Sequence, residues 1–179
     1  MDLCEKTVNS EYRYTGKIIN LRLDTVVLPN GATALREVVE HPGAVAVVPV
    51  CDGGEVALVR QYRHSLSAET LEIPAGKLEL AEQPGPAGER ELYEETGAHA
   101  GHMEYLGCIY PSAGCLDEIV HIYLATELVF SEQSLDEDEF VEVVRLPFDE
   151  AVRSALSGKI SDAKSIIGIL WASERLKTK

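Results

Sequence analysis

Positive charge is scarce in this chain. Sixteen Lys and Arg stand against 30 Asp and Glu, a formal charge of −14 at pH 7. Such acidity excludes non-specific attraction to nucleic acid or anionic lipid, both of which repel negative charge. A phosphate ligand would need a metal and a few local arginines to supply the attraction. Cysteine is sparse too: Cys4, Cys51, Cys108 and Cys115 form no C-x-x-C pair and no zinc-type spacing with the five histidines. A disulfide framework is excluded, and free thiols in a reducing compartment are expected, with cytoplasm the default. No run is apolar enough to cross a membrane, and Met1 to Lys6 lacks the basic-then-apolar pattern of a secretory leader. Repeats, low-complexity tracts and Gly/Ser linkers are also missing. What is present is globular: 179 residues, 45% hydrophobic, enough for one domain with an appended segment that buries roughly 70% of its surface.

Residues 1–42 read differently from 43–179, and that is the expected division. Arg13 to Leu28 is strand-like, with Leu21, Leu23, Thr25 and Val27 on one face. Pro29-Asn30-Gly31 then gives a hairpin signal, and Leu35 to Val39 is the returning strand. A sheet of two or three strands cannot bury both faces alone. It needs the main domain or a second subunit. From Gly43 onward, Ala44 to Val50 is continuously apolar, as in a strand covered on both faces. Further strands are expected at Val56–Tyr62, Leu71–Ile73, Tyr105–Tyr110, Ile119–Thr126 and Phe140–Leu146. Pro84 to Thr96 reads as a helix with prolines in its first turn and Gly97 as its stop. Helices at Phe148–Ser157 and Ser161–Lys177 end the chain. The fold class is α/β, a mixed-sheet α/β/α sandwich with an N-terminal antiparallel β segment.

Glu91, Glu94 and Glu95 lie at i, i+3 and i+4 of the first helix, so three carboxylates share one face. Like charges so placed repel. A solvated acidic face is the plain reading of three glutamates alone. A hard divalent cation, Mg²⁺ or Mn²⁺, would instead turn the repulsion into attraction, because it takes oxygen ligands and keeps waters that a phosphate can displace. Glu82 can return to the same cluster from the preceding loop, and Arg90 can pair with a carboxylate and fix its orientation.

The stretch as a whole resembles the Nudix box. Gly76, Glu82, Arg90, Glu91, Leu92, Glu94, Glu95 and Gly97 all match its positions, with Ala98 at the last aliphatic place. The resemblance implies a Nudix fold and metal-dependent hydrolysis of a nucleoside diphosphate linked to another group. It makes Glu91 and Glu95 the principal metal ligands, with Glu94 adjacent and the carbonyl of Ala75 completing a site.

Residues 10 to 175 further resemble the ADP-ribose pyrophosphatase branch of that family. The similar pieces are Leu28–Gly31, Arg36–Val45, Gln61-Tyr62-Arg63, Glu72–Gly76, Ser112-Ala113-Gly114 with Asp117-Glu118, and Asp138–Val143. Ala113 stands where the branch more often has a proline. Ser112, Ala113, Gly114 and Glu118 are thereby substrate-binding candidates. Arg63, beside the box, could grip a diphosphate oxygen in two-point fashion. Arg36, Glu37 and His41 are candidates for ribose and phosphate contacts, acting across a homodimer if the branch's arrangement holds. Lys17 and Ile18 fall where the branch places a base-contacting aromatic, so that aliphatic packing replaces stacking. The branch's catalytic loop falls at Asp136–Glu139, with Glu139 the first choice for activating water and Glu137 the second. The leading expectation is hydrolysis of ADP-ribose to AMP and ribose 5-phosphate. Alternatives are another nucleoside diphosphate sugar, or a non-catalytic nucleotide-sensing module, which would not need three clustered carboxylates.

Overall fold

The computed structural model describes residues 2–135, 137 and 139–178. They form two compact units, one made of Met1–Gly43 with Tyr110–Ile119, the other of Ala44–Ile109 with Val120–Lys179.

The first unit is an antiparallel sheet of β1 (Lys6–Thr15), β2 (Asn20–Val27) and β3 (Thr33–Glu40), in that order. The hairpin at Pro29–Gly31 turns as expected: Leu28 N–H donates to the carbonyl of Ala32 at 2.8 Å. Two features differ from the sequence reading. β1 is a separate strand, exposed along its whole length, so no apolar alternation announces it and pairing with β2 defines it. In β2 the most buried residues are Asp24 and Val26, on the face opposite Leu21 and Leu23. Asp24 is tolerated there because Arg22 grips it, Nε to Oδ1 at 2.8 Å and Nη2 to Oδ2 at 3.0 Å. Tyr110–Ile119 joins this unit through Val39, whose N–H donates to the Cys115 carbonyl at 2.7 Å.

The second unit has two sheets. One runs β7 (Ala75–Lys77), β4 (Ala44–Pro49), β9 (Val120–Phe130), β8 (Ala98–Ile109), with β4 and β9 parallel. The other runs β10 (Val141–Pro147), β5 (Glu55–Arg63), β6 (Ala68–Glu72), all antiparallel. β4 is buried at every position, and its alternate residues serve two cores. Val47 packs with Leu92 of α1 (Pro84–Thr96) on one face. Ala44, Ala46 and Val48 face Ile169 and Ala172 of α3 (Ala163–Lys177), Ala151 of α2 (Phe148–Leu156) and Leu58 of β5 on the other. Helices therefore cover both faces of the mixed sheet, as expected. Each fully buried Val, Leu or Ile there contributes about 1.5–3 kcal/mol.

α1 has the bounds read from the sequence. Pro84 at its start loses no hydrogen bond, since first-turn N–H groups lack intrahelical acceptors anyway. Gly97 ends it in the left-handed conformation, φ 69°, with its N–H on the Tyr93 carbonyl at 2.7 Å. β8 starts directly afterwards at Ala98, seven residues before the expected Tyr105. His99, Gly101 and His102 give that stretch no strand pattern of their own; pairing with β9 makes it. α3 starts at Ala163, with the Asp162 carboxylate accepting from Ser165 N–H at 2.9 Å as its cap.

Candidate active site

α1 presents Glu91, Glu94 and Glu95 within one turn, and Arg90 gathers their neighbours. Arg90 Nε and Nη2 donate to the two oxygens of Glu82, both at 3.0 Å. Its Nη1 donates to Glu91 Oε1 at 2.7 Å and Glu94 Oε2 at 2.9 Å. One guanidinium thus draws the loop carboxylate onto the helix, as the sequence suggested. Glu82 is held below the usual carboxylate range by its bonds to Arg90.

The opposite holds for the two residues that face inward. Glu91 is 8% and Glu95 4% exposed. Burial pushes Glu91 up despite Arg90. Glu95 is pushed up to about 8, first by burial and then by the charges of Glu91 and Glu139, although Ala75 N–H donates to its Oε2 at 2.9 Å. Gly76 is forced by this packing, because a Cβ there would overlap the carboxylate of Glu91.

A hard divalent cation fits this donor set. Two buried carboxylates whose burial raises both pKa values are stabilised as anions by a metal more than by water, and Ala75 lies beside Glu95. Glu91, Glu95 and the Ala75 carbonyl would hold it, with Glu94 and Glu82 at its margin. As they stand, Glu82, Glu91 and Glu94 are turned to Arg90, and among the described residues no three Asp, Glu, His or Cys side chains already form a metal cage.

Arg63 ends β5. Its Nε and Nη2 donate to the two oxygens of Glu72, at 2.7 and 2.6 Å, and its charge is felt at Glu95. Glu72, which is buried, carries no role in the local sequence pattern, and neither does Lys164 of α3, whose ammonium also donates to Glu72. Glu72 and Lys164 are 92 residues apart, so no local pattern links them.

Glu139 is exposed, yet its charge reaches Glu91 and Glu95. It lines a cleft of about 470 Å³ with Gln61, Tyr62, Leu135 and Phe140. Glu137 is exposed in the same loop; Asp136 and Asp138 lie outside the described residues. The root of the loop is tied to α1. Ser131 N–H donates to the Gly97 carbonyl at 2.7 Å, Ser134 N–H to that of Glu94 at 3.1 Å, and Gln133 Nε2 to that of Glu95.

The remaining candidates lie in the first unit. Lys17 and Ile18 are exposed between β1 and β2. Arg36 donates from Nε and Nη2 to the carboxylate of Glu5, at 2.9 and 2.5 Å, while Glu37 points to solvent. His41 Nδ1 accepts from Gly43 N–H at 3.1 Å and stands 3.5 Å from Glu118 Oε1. Its N–H donates to Asp117 at 2.8 Å. Ser112, Ala113 and Gly114 form an exposed turn, in which Ser112 accepts from Cys115 N–H at 3.1 Å and Leu116 N–H at 3.0 Å.

Known proteins place this architecture. Residues 40–167 match the NUDIX domain, and residues 5–39 match the nucleoside diphosphate sugar hydrolase N-terminal domain. The chain is 44% identical over 179 residues to a methanol dehydrogenase activator of Bacillus methanolicus, covering 98% of this chain and 97% of that one. It is 46% identical over 169 residues to an ADP-ribose pyrophosphatase of Bacillus subtilis (strain 168), covering 93% and 91%. A crystal structure of an ADP compounds hydrolase superposes with a TM-score of 0.87 over 99% of this chain and 97% of that one; at 22% identity it speaks to the fold. The domain match takes in every box residue from Gly76 to Gly97 and most of the sequence besides, and the chain belongs to the Nudix hydrolase family.

Proposed function

We propose that this enzyme hydrolyses the diphosphate of ADP-ribose to AMP and ribose 5-phosphate, with Mg²⁺ or Mn²⁺ held by Glu91, Glu95 and the Ala75 carbonyl. The observation that carries the reading is the buried pair Glu91 and Glu95, raised in pKa and adjacent on α1. A structural helix gains nothing from two such carboxylates. The substrate is inferred from the similarity to the B. subtilis enzyme, which covers nearly the whole chain.

When bound, the metal supplies charge for the phosphate oxygens and lowers the pKa of water. The chain's own residues do the rest. Arg63 binds a non-bridging diphosphate oxygen. Glu139, or Glu137 two residues away, accepts a proton from the water that attacks phosphorus while the bridging P–O bond breaks. Arg90 holds Glu82, Glu91 and Glu94 in place through substrate entry and product exit.

Cytoplasm is the compartment that the free cysteines fit, and none of the described helices is long and apolar enough to cross a membrane. A homodimer is the proposed assembly. The first unit exposes Val8, Tyr12, Tyr14 and Leu35, all more than half accessible, and a symmetric dimer is the commonest way to cover such a patch. In that dimer Arg36, Glu37 and His41 serve the substrate, with Lys17, Ile18, Ser112, Ala113, Gly114 and Glu118 beside them. Sedimentation of the full chain at micromolar concentration tests the assembly, a fully active monomer being the contrary result.

Product analysis over a panel of nucleoside diphosphate compounds tests the activity, with Mg²⁺, with Mn²⁺ and with excess chelator. AMP and ribose 5-phosphate from ADP-ribose are expected, lost in chelator and reduced by orders of magnitude in Glu95→Gln. Faster turnover of another nucleoside diphosphate sugar would reassign the substrate. Tight binding without cleavage of any compound would make the chain a sensor.

A further inference from the structure

Behind Arg63 lies a polar chain that the box does not require. Both oxygens of Glu72 are doubly used: Oε1 accepts from Arg63 Nε at 2.7 Å and from Thr70 Oγ1 at 2.6 Å, and Oε2 accepts from Arg63 Nη2 at 2.6 Å and from Lys164 Nζ. The carboxylate is saturated and 2% exposed. This fork occupies one edge of the guanidinium, and among the described residues Nη1 has no partner.

Lys164 breaks a local rule. It stands in the first turn of α3, where the helix dipole disfavours a cation, and its side chain is 15% exposed. Its Nζ also donates to Asp162 Oδ2 at 3.0 Å. The same oxygen accepts from Ser165 N–H at 2.9 Å and Ser165 Oγ at 2.5 Å, and Ser165 Oγ in turn accepts from Ile73 N–H at 2.9 Å. The chain of bonds thus runs from Arg63 through α3 to the segment that enters the box.

A carboxylate shared with nobody else would cancel Arg63's charge as well as orient it. Sharing Glu72 with Lys164 separates those two effects. We propose that Glu72 and Lys164 are positioning residues, holding Arg63 by one edge and leaving its Nη1 edge and its charge for the diphosphate of the substrate. This deepens the proposed function and rests on its assignment of Arg63. The competing account is a purely structural tie between α3 and β6.

The two accounts separate in a cycle of Lys164→Met, Lys164→Arg, Arg63→Ala and the Lys164→Met/Arg63→Ala double variant. Calorimetry with inorganic diphosphate and Mg²⁺ gives affinity, and ADP-ribose turnover gives KM and kcat. Positioning predicts that Lys164→Met weakens diphosphate about fivefold or more and raises KM to match, with kcat within about twofold. Lys164→Arg stays near wild type, and Lys164→Met adds no further loss once Arg63 is Ala. Should Lys164→Met not fold, Lys164→Gln takes its place. The proposal is overturned by unchanged affinity, by an equal loss in the Arg63→Ala background, by no measurable diphosphate affinity in wild type, or by failure of both neutral variants to fold while Lys164→Arg does. If wild type does not cleave ADP-ribose, the functional reading fails, and the diphosphate affinities still decide the positioning.

Discussion

The carboxylate of Glu95 accepts a hydrogen bond from the backbone N–H of Ala75 at 2.9 Å, across twenty residues of sequence. That bond joins the first residue of β7 to the helix of the box. A buried carboxylate is thereby fixed against the main chain of Ala75, whose carbonyl is the proposed further oxygen donor to a hard cation.

Gly76 lies against the next carboxylate along, Glu91. In Gly76→Ala the added methyl meets the end of the Glu91 side chain, not backbone. The side chain must shift within its buried place and weaken its bond to Arg90, so thermal stability should fall by about 1–3 kcal/mol. Turnover should fall at least about tenfold, because Glu91 no longer stands beside Glu95. Melting curves and initial rates check both halves; a normal rate would show that Glu91 need not occupy this position.

Removing the Arg63 guanidinium should weaken substrate binding more than chemistry. In its proposed role Arg63 makes a charge-assisted diphosphate contact of about 1.5–3 kcal/mol, so Arg63→Ala should raise the KM for ADP-ribose roughly tenfold or more. It also leaves Glu72 with Lys164 as its one cationic partner among the described residues, so thermal stability should be measured alongside. Unchanged KM and kcat would confine Arg63 to anchoring Glu72.

Glu139 and Glu137 are separable by kinetics. Glu139→Gln should lower kcat by about 10²-fold or more with little change in KM, because the amide cannot take the proton in the role proposed for Glu139. Glu137→Gln should do less. If neither variant differs from wild type, water is activated elsewhere, and Glu82 is the next candidate.

Stability in acid should report on Glu72. Burial alone would raise its pKa, but Arg63 and Lys164 outweigh burial and hold it at about 2, against 4.5 in an unfolded chain. A carboxylate depressed by folding contributes stability above the unfolded value, and that contribution is lost as pH falls towards the folded one. Wild type should therefore exceed Glu72→Gln by up to about 3 kcal/mol from pH 7 to 5, with the difference shrinking between pH 4.5 and 2. Denaturant titrations at several pH values check this. A difference that holds steady down to pH 3 would mean the carboxylate's charge is not what stabilises the fold.

What the sequence made legible was local. Pro84, Gly97 and the glutamate spacing mark α1 because each acts within one or two turns of the chain. β4 showed itself through unbroken apolar residues, a direct reading of burial on both faces. β1 and the start of β8 did not, since polar residues such as Asn9 and His99 become strand through ladders to partners elsewhere. The site divides in the same way. The box carboxylates were visible in one helix, whereas the support of Arg63 depends on Glu72 across a strand pair and Lys164 on a distant helix. Burial of Asp24 beneath Arg22 was hidden for a related reason: the alternation that reveals a strand does not say which face is covered.

The ties from Ser131, Gln133 and Ser134 to the end of α1 carry a consequence for how this enzyme can diversify. Carbonyls at a helix end need donors, and here one loop supplies them before it goes on to Glu139. Glu139 is the fifth residue after Ser134, a tether of at most about 18 Å, and β10 begins two positions further on. Residues added or lost after Ser134 would reset the reach of Glu139 while the carboxylate helix keeps its end satisfied. Changes before Ser134 would strip those carbonyls and loosen both at once. The anchored stretch is the conservative part of the machine, and the short span beyond it is where a new substrate geometry could be accommodated one residue at a time.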